Sequence, residues 1–239
     1  MRLSVVVPVL NEAETVGTLV AEIDEALKEL ASFEILFVDD GSTDATRQRL
    51  RDAAERCPRL RVLRHARRAG QSAGINTGVI AARGTIIATL DGDGQNDPAD
   101  ILRLVDIFVQ EGDDDSVMVA GLRMDRRDTL IKRVTSRIAN GVRRRLLHDD
   151  TVDTGCGLKV FAREAFLAMP RFDHMHRFLP ALMARQGGRV ISVPVNHRPR
   201  AGGRSKYGTF DRLWVGIVDL LGVMWLRRRA NLCAVRREP

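Results

Sequence analysis

Compact, largely apolar or β-branched runs recur along the chain at residues 3–7, 34–38, 61–64, 85–90, 117–120 and 190–195. Each has the length of a strand and is bounded by turn-forming residues. Between them the apolar positions return every three or four residues, up to residue 30, from residue 44 to about 57, and over 98–110. The spacing predicts a helix behind each of the first, second and fourth strands. Residues 71–82, with Gly74, Asn76 and Gly78, predict a small-residue helix able to pack close to a backbone or ligand. Asn11 stands where it can cap the first helix, with Glu14 three residues on completing a box-like arrangement. Strand, turn and helix repeated in this order predict an α/β fold built on a doubly wound, mostly parallel sheet, in which ligands bind beyond the carboxyl ends of strands.

Three predicted strands empty into acidic turns, at Asn11-Glu12, Asp39-Asp40 and Asp91 to Asp93. The topology then puts all three on one edge of the sheet. In the last of them Asp91 and Asp93 lie two apart, Gln95 follows two further on, and Gly92 and Gly94 relieve the backbone. Few carboxylates completed by an incoming phosphate is how Mg²⁺ or Mn²⁺ is held; the plain alternative is a solvated acidic loop. An EF-hand is excluded, because its sixth and twelfth positions, counted from Asp91, hold Asn96 and Leu102. Glu12 reads equally well as a ligand or as a first-turn acid favoured by the helix dipole. Neither G-x-G-x-x-G nor G-x-x-x-x-G-K-[ST] occurs, so a nucleotide here would meet carboxylates, with a metal bridging its phosphates.

Composition narrows the partners. With 239 residues and 44% hydrophobic content, the chain forms one large domain or one domain with an appendage. A net charge of +7 calls for an anionic partner: nucleic acid, phospholipid or a phosphorylated substrate. Aromatics at 5% with a single tyrosine are thin for stacking bases, which turns the reading from nucleic acid toward lipid or sugar phosphate. Cys57, Cys156 and Cys233 are too few and too scattered for a disulfide framework or a zinc site, so a reducing cytosol is expected. No run reaches the ~18 apolar residues of a spanning helix, and no signal peptide is read at Met1-Arg2.

The second half is basic and interfacial in character. Leu130, Val134, Ile138, Val142 and Leu146 recur every four residues among Lys132, Arg133, Arg137 and three arginines at 143–145, a basic amphipathic helix suited to the core or to anionic lipid. Asp153 to Lys159 opens a strand through small residues, and Cys156 reads as packed rather than nucleophilic. Residues 197–208 gather cations among glycines, either a surface loop or a phosphate clamp. Residues 210–226 form an apolar helical stripe holding Trp214 and Trp225 and running into Arg227-Arg228-Arg229, suited to docking on the core or lying in a membrane interface.

The series V-V-V-P-V-L-N-E (5–12), V-D-D-G-S-T-D (38–44), G-x-x-x-G-x-N-x-G (70–78) and D-G-D-G-Q-x-D-P (91–98) resembles family 2 inverting glycosyltransferases of the GT-A fold, and within them the dolichol- or polyprenyl-phosphate mannosyltransferase group. The resemblance covers roughly residues 3–209 and implies a glycosyltransferase domain over 1–209, followed by an amphipathic helix and basic tail over 210–239. It implies nucleotide-sugar binding by Pro8, Leu10, Glu12, Asp40 and Asp91, with Asp39 sharing the base or ribose contact, and a Mg²⁺ or Mn²⁺ ion on Asp91, Asp93 and Gln95. The family residue at the position of Leu10 is often aromatic. R-x-x-G-x-S-K, with Arg200, Ser205 and Lys206, is similar to the group's acceptor loop; those residues, with Arg123 and Lys159, are implied to hold the acceptor phosphate and the leaving diphosphate.

The resulting expectation is metal-dependent, inverting transfer from a nucleotide sugar, GDP-mannose or a UDP-sugar, to a polyprenyl phosphate. The enzyme would sit peripherally on the cytoplasmic face of the membrane and could pass its product to a separate membrane protein. Two alternatives stay open: transfer to a sugar hydroxyl in envelope polysaccharide or glycolipid synthesis, with Asp153 as base, and a noncatalytic basic binding module.

Overall fold

The computed structural model describes residues 3–112, 115–124, 141, 146–147, 151, 153–199 and 209–230, with 209–214 by backbone alone. The six apolar runs form β1 (Leu3–Val9), β2 (Phe33–Asp39), β3 (Leu60–Arg64), β4 (Ile86–Thr89), β5 (Val117–Arg123) and β7 (Arg189–Val195), and the small-residue segment 153–159 leads into β6 (Lys159–Ala162). They make one sheet in the order β3-β2-β1-β4-β6-β5-β7. All neighbours are parallel except β6, which runs antiparallel to both β4 and β5. The expected α/β, mostly parallel sheet is therefore present, with one reversed strand at its centre. β1, β2 and β4 are buried along their whole length, as strands covered on both faces must be.

The covering helices follow the apolar stripes. α1 (Val16–Ala26) buries Val16, Leu19, Val20 and Ile23, and α4 (Asp100–Gln110) buries Ile101, Leu104, Val105 and Phe108, the same i, i+3, i+4, i+7 pattern. α2 (Thr46–Arg56) lies between β2 and β3. α3 (Gln71–Ala81) is the small-residue helix, and its glycines bring its backbone onto β1: a Cβ on Gly78 would stand 2.3 Å from Val6 Cγ1. Short helices α5 (Arg163–Leu167) and α6 (Leu179–Arg185), with a 3₁₀ turn at Met175–Arg177, follow β6. α7 (Thr209–Arg228) seats Val223 fully in the core, and Arg185 Nε donates to the Leu226 carbonyl at 2.9 Å. Its Ile217, Val218, Leu221 and Trp225 face outward. Among the described residues no helix is long and apolar enough to cross a membrane.

Two local expectations are corrected. Asn11 does not cap α1: it sits in the left-handed region at φ 51°, and its Oδ1 accepts the Thr43 N–H at 2.8 Å, tying the loop after β1 to the loop after β2. The helix starts at Val16 without a side-chain cap, and Glu14 is exposed. It also ends at Ala26 rather than residue 30, because the chain must turn back to enter β2 at Phe33. Most of the amphipathic stretch 130–146 lies outside the described residues, as does the loop segment 200–208.

Register fixes where the chemistry collects. Val9 pairs with Asp39, Val6 with Thr89, and Thr89 with Lys159, the first residue of the reversed strand β6. Ala120 pairs with Lys159, so the β5 end bearing Arg123 points to the same side. The carboxyl ends of β1, β2, β4 and β5 and the amino end of β6 thus form one edge.

Candidate active site

Asp91 is at the centre of this edge. Its backbone N–H donates to Asn96 Oδ1 at 3.2 Å, and its Oδ1 accepts from Gln71 Nε2 at 2.8 Å. The carboxylate lies against Gly157, where an added Cβ would stand 2.3 Å from Asp91 Cγ; only glycine leaves room for it. Burial, together with the neighbouring Asp93 charge, pushes the Asp91 carboxyl up to about 6, against the opposing pull of Lys159 and Arg123. A like-charged pair held this way is relieved by a cation. Asp93 Oδ1 accepts from the Gln95 N–H at 3.2 Å, closing the loop on itself. Gln95 Nε2 lies 3.4 Å from both His197 Nε2 and the Arg198 carbonyl, which brings the end of β7 to the acidic loop.

The donor set tests a metal directly. Two carboxylates and an amide oxygen are hard ligands suited to Mg²⁺ or Mn²⁺, and too few to complete a shell, leaving positions for phosphate and water. No three His, Cys, Asp or Glu side chains gather as a metal site among the described residues. Such a set would suit an ion whose remaining ligands were supplied by a diphosphate.

The two β2 carboxylates differ in what they have left to offer. Asp40 is spent on structure: it accepts from Ala69 N and His65 Nδ1 through Oδ1 at 2.8 and 2.7 Å, and from Gly70 N through Oδ2 at 2.8 Å. Asp39 is buried, with Oδ1 on the Ser42 N–H and Oδ2 without a hydrogen bond, 3.3 Å from Arg64 Nε. Glu12 and Leu10 lie half-buried beside them, the Glu12 N–H on Thr46 Oγ1 at 2.8 Å. Pro8 is buried within β1 beneath α3.

On the other flank is a basic group. Arg123 forms a bidentate pair with Asp153, Nε to Oδ2 at 2.7 Å and Nη2 to Oδ1 at 2.8 Å. Burial opposes the charge, but the Asp153 contacts prevail and raise Arg123 above its ordinary value. Lys159 is buried and donates to the Cys156 and Thr154 carbonyls; burial pulls it below the usual lysine range. Cys156 is packed, as expected, and burial raises its thiol. Arg198, one of the loop cations, is committed to Glu22 and Asp97 at 2.8 Å each. Arg200, Ser205 and Lys206 lie outside the described residues.

A cavity of about 360 Å³ opens beneath Asp91, walled by Gln71, Lys159, His176 and Arg177 among others, a size suited to a small ligand. A larger groove of about 700 Å³ between α1 and α2 contains none of the residues at this edge. His176 was not apparent in the sequence. Its Nδ1 meets Ser72 Oγ at 2.7 Å, across 104 positions of sequence, and its N–H donates to the same oxygen at 3.2 Å. Burial and the nearby cations, Arg177 foremost, push His176 down to about 3, so it is neutral at working pH. No periodicity or motif marks 172–177; Gln71, Ser72 and Gly157 likewise gain their roles only from the fold.

The family model described as Glycosyl transferase family 2 matches residues 4–168. The chain is 37% identical over 233 residues to the dodecaprenyl-phosphate galacturonate synthase of Rhizobium johnstonii, covering 95% of this chain and 68% of that protein. It is 36% identical over 208 residues to the undecaprenyl-phosphate 4-deoxy-4-formamido-L-arabinose transferase of Edwardsiella ictaluri, covering 86% and 62%. The chain thus spans about two thirds of the length of these relatives. Among solved structures it superposes on mannosyl-3-phosphoglycerate synthase from Rubrobacter xylanophilus with a TM-score of 0.71 at 18% identity, over 99% of this chain and 77% of that one. The glucosyl-3-phosphoglycerate synthase of Mycobacterium tuberculosis, in complex with Mn²⁺, UDP and glucosyl-3-phosphoglycerate, gives 0.69 at 19% identity, over 98% and 81%. These likenesses establish the fold.

Proposed function

The chain belongs to glycosyl transferase family 2, and from that premise we propose that it moves a sugar from a nucleoside diphosphate to a polyprenyl phosphate, with inversion at the anomeric carbon. The observation that carries this is one sheet edge on which Asp39, Asp91 and Asp93 face Arg123 and Lys159. Acids that hold a cation suit a diphosphate, and the adjoining bases suit a second anion. The names of the two relatives, both polyprenyl-phosphate sugar transferases, support the acceptor.

Roles follow from what each group has free. Asp39 Oδ2, buried and lacking a hydrogen bond, accepts an N–H of the base, flanked by Pro8, Leu10 and Glu12. Asp40 shapes that pocket through residues 65–70. Asp91, Asp93 and Gln95 would hold Mg²⁺ or Mn²⁺, which when bound neutralises charge on the departing diphosphate. Arg123 and Lys159, joined by Arg200, Ser205 and Lys206, orient the lipid phosphate. A phosphate monoester is already anionic and needs no base. Asp153, with both oxygens on Arg123, is poorly placed to serve as one. That favours the phosphate acceptor over a sugar hydroxyl.

Residues 1–209 constitute the catalytic unit and 210–239 its appendage at the membrane surface, where the outward Leu221 and Trp225 enter the interface. Peripheral binding on the cytoplasmic face, with a separate membrane protein taking the product, completes this reading. GDP-mannose is the donor implied by sequence resemblance, and UDP-sugars are the alternative. The test is incubation with nucleotide sugars, Mn²⁺ and a polyprenyl phosphate in vesicles, followed by mass spectrometry of the lipid. A glycosyl phosphoprenol that vanishes with EDTA is expected; sugar found only on oligosaccharide hydroxyls would refute the proposal.

A further inference from the structure

The cavity beneath Asp91 is more cationic than sugar transfer as such requires. Arg177, half-buried in its wall, makes no side-chain hydrogen bond or ion pair among the described residues. Lys159, deeper in the same wall, has two donors on the Cys156 and Thr154 carbonyls. His176, held to Ser72 through Nδ1, adds a neutral imidazole. Asp91 is the single acid of this wall, and a cation held there consumes its charge. With Lys159 assigned to the acceptor phosphate and also under the charge of Asp153, Arg177 is the cation of this wall that neither Asp91 nor the acceptor compensates.

A neutral hexose placed here would cover Arg177 with hydroxyls and leave its charge uncompensated, an expensive arrangement away from water. A carboxylate on the sugar compensates it, since a guanidinium fork matches a carboxylate in two parallel bonds. A glycosyl group joined to a diphosphate at Asp91 has this cavity directly beside it. We propose that the sugar transferred is a hexuronic acid, its carboxylate received by Arg177. The inference rests on the reading of the chain as a nucleotide-sugar transferase.

Matched donors that differ only in oxidation at C6 isolate the carboxylate: UDP-glucuronic acid against UDP-glucose, UDP-galacturonic acid against UDP-galactose, and GDP-mannuronic acid against GDP-mannose. Binding to the full chain is measured by calorimetry with Mn²⁺. Whichever base and epimer are accepted, the uronate is expected to bind about tenfold tighter or more. Arg177→Met is expected to collapse that ratio and Arg177→Lys to restore part of it. Equal binding within the accepted pair, or preference for the hydroxymethyl sugar, overturns the inference and leaves the transferase reading intact. Absence of binding by every nucleotide sugar overturns both. A fourth arm varies prenyl phosphate concentration. If Arg177→Met raises the acceptor KM alike for every donor and leaves the uronate ratio unchanged, the cation seats the lipid phosphate and the inference fails.

Discussion

At the residue scale, Asp91 illustrates a site that is destabilising until its ligand arrives. Its folded carboxyl is raised from 3.8 to about 6, so between those values the folded state binds more protons than the unfolded one. Its contribution to stability is therefore full below pH 3.8, is lost as pH rises through about 6, and stays lost at neutrality. Asp91→Asn is expected to raise the metal-free melting temperature by a few degrees at pH 7.5 and not at pH 4, while removing most activity. Mn²⁺ should stabilise the parent chain and not this variant, and its affinity for the parent should fall roughly tenfold per pH unit below about 6 as protons compete. Equal metal-induced shifts in both proteins would refute the assignment. Gly157→Ala makes a complementary prediction: its Cβ would occupy the carboxylate's place, so metal and donor affinity should drop about tenfold or more while the circular dichroism spectrum holds. Asp91 was legible because two acids two residues apart followed a buried run. Gly157 was not, because the atom it makes room for comes from a segment more than sixty residues earlier.

At the scale of elements, most strands were legible to within a residue or two, since a covered sheet demands uninterrupted apolar runs, while β5 continues three residues past its apolar run, through Gly121 to Arg123. The reversed strand β6 was not readable as such, because direction is set by where the chain re-enters the sheet and not by the composition of four residues. The mistaken cap at Asn11 has a similar cause: Asn serves equally at a helix start and in a left-handed turn, and only contact with residues 42–43 decided between them. α3 is the element whose sequence and packing agree most closely. Gly78→Ala would press a methyl into Val6 Cγ1 and Val38 Cγ2, and overpacking of this kind is expected to cost about 1–3 kcal/mol in denaturant unfolding. A cost near zero would mean that α3 does not lie on β1 as closely as described. The seat of α7 is a second such joint. His174, left-handed at φ 62°, meets Asp219 Oδ2 through Nδ1 at 3.0 Å, two residues before the wall of the cavity. Asp219→Ala is expected to speed amide exchange in 174–177 together with α7; acceleration confined to α7 would show the two elements to be uncoupled.

At the scale of the whole molecule, charge and apolar surface are arranged in series. The chain carries +7 overall, yet its sheet edge gathers acids, so long-range attraction to an anionic surface and short-range capture of a cation belong to different regions. α7 lies between these roles. Its inner face is held by Val223, while Leu221 and Trp225, 57% and 60% exposed, stand one turn apart on the outer face just before Arg227, Arg228 and Arg229. An aromatic and a leucine ahead of three arginines suit the boundary between acyl chains and anionic headgroups. Each arginine near such a surface is worth roughly 1 kcal/mol, so Arg228→Gln with Arg229→Gln should weaken binding to phosphatidylglycerol vesicles by about thirtyfold, an effect that added salt should mask. Leu221→Glu with Trp225→Glu should weaken binding at any salt concentration, since it removes the apolar part. If α7 delivers the site to its acceptor, both double variants should lose rate on vesicle-borne polyprenyl phosphate and keep it on a short, water-soluble prenyl phosphate. Equal losses on the two acceptors would place the helix in the catalytic fold and not on the lipid.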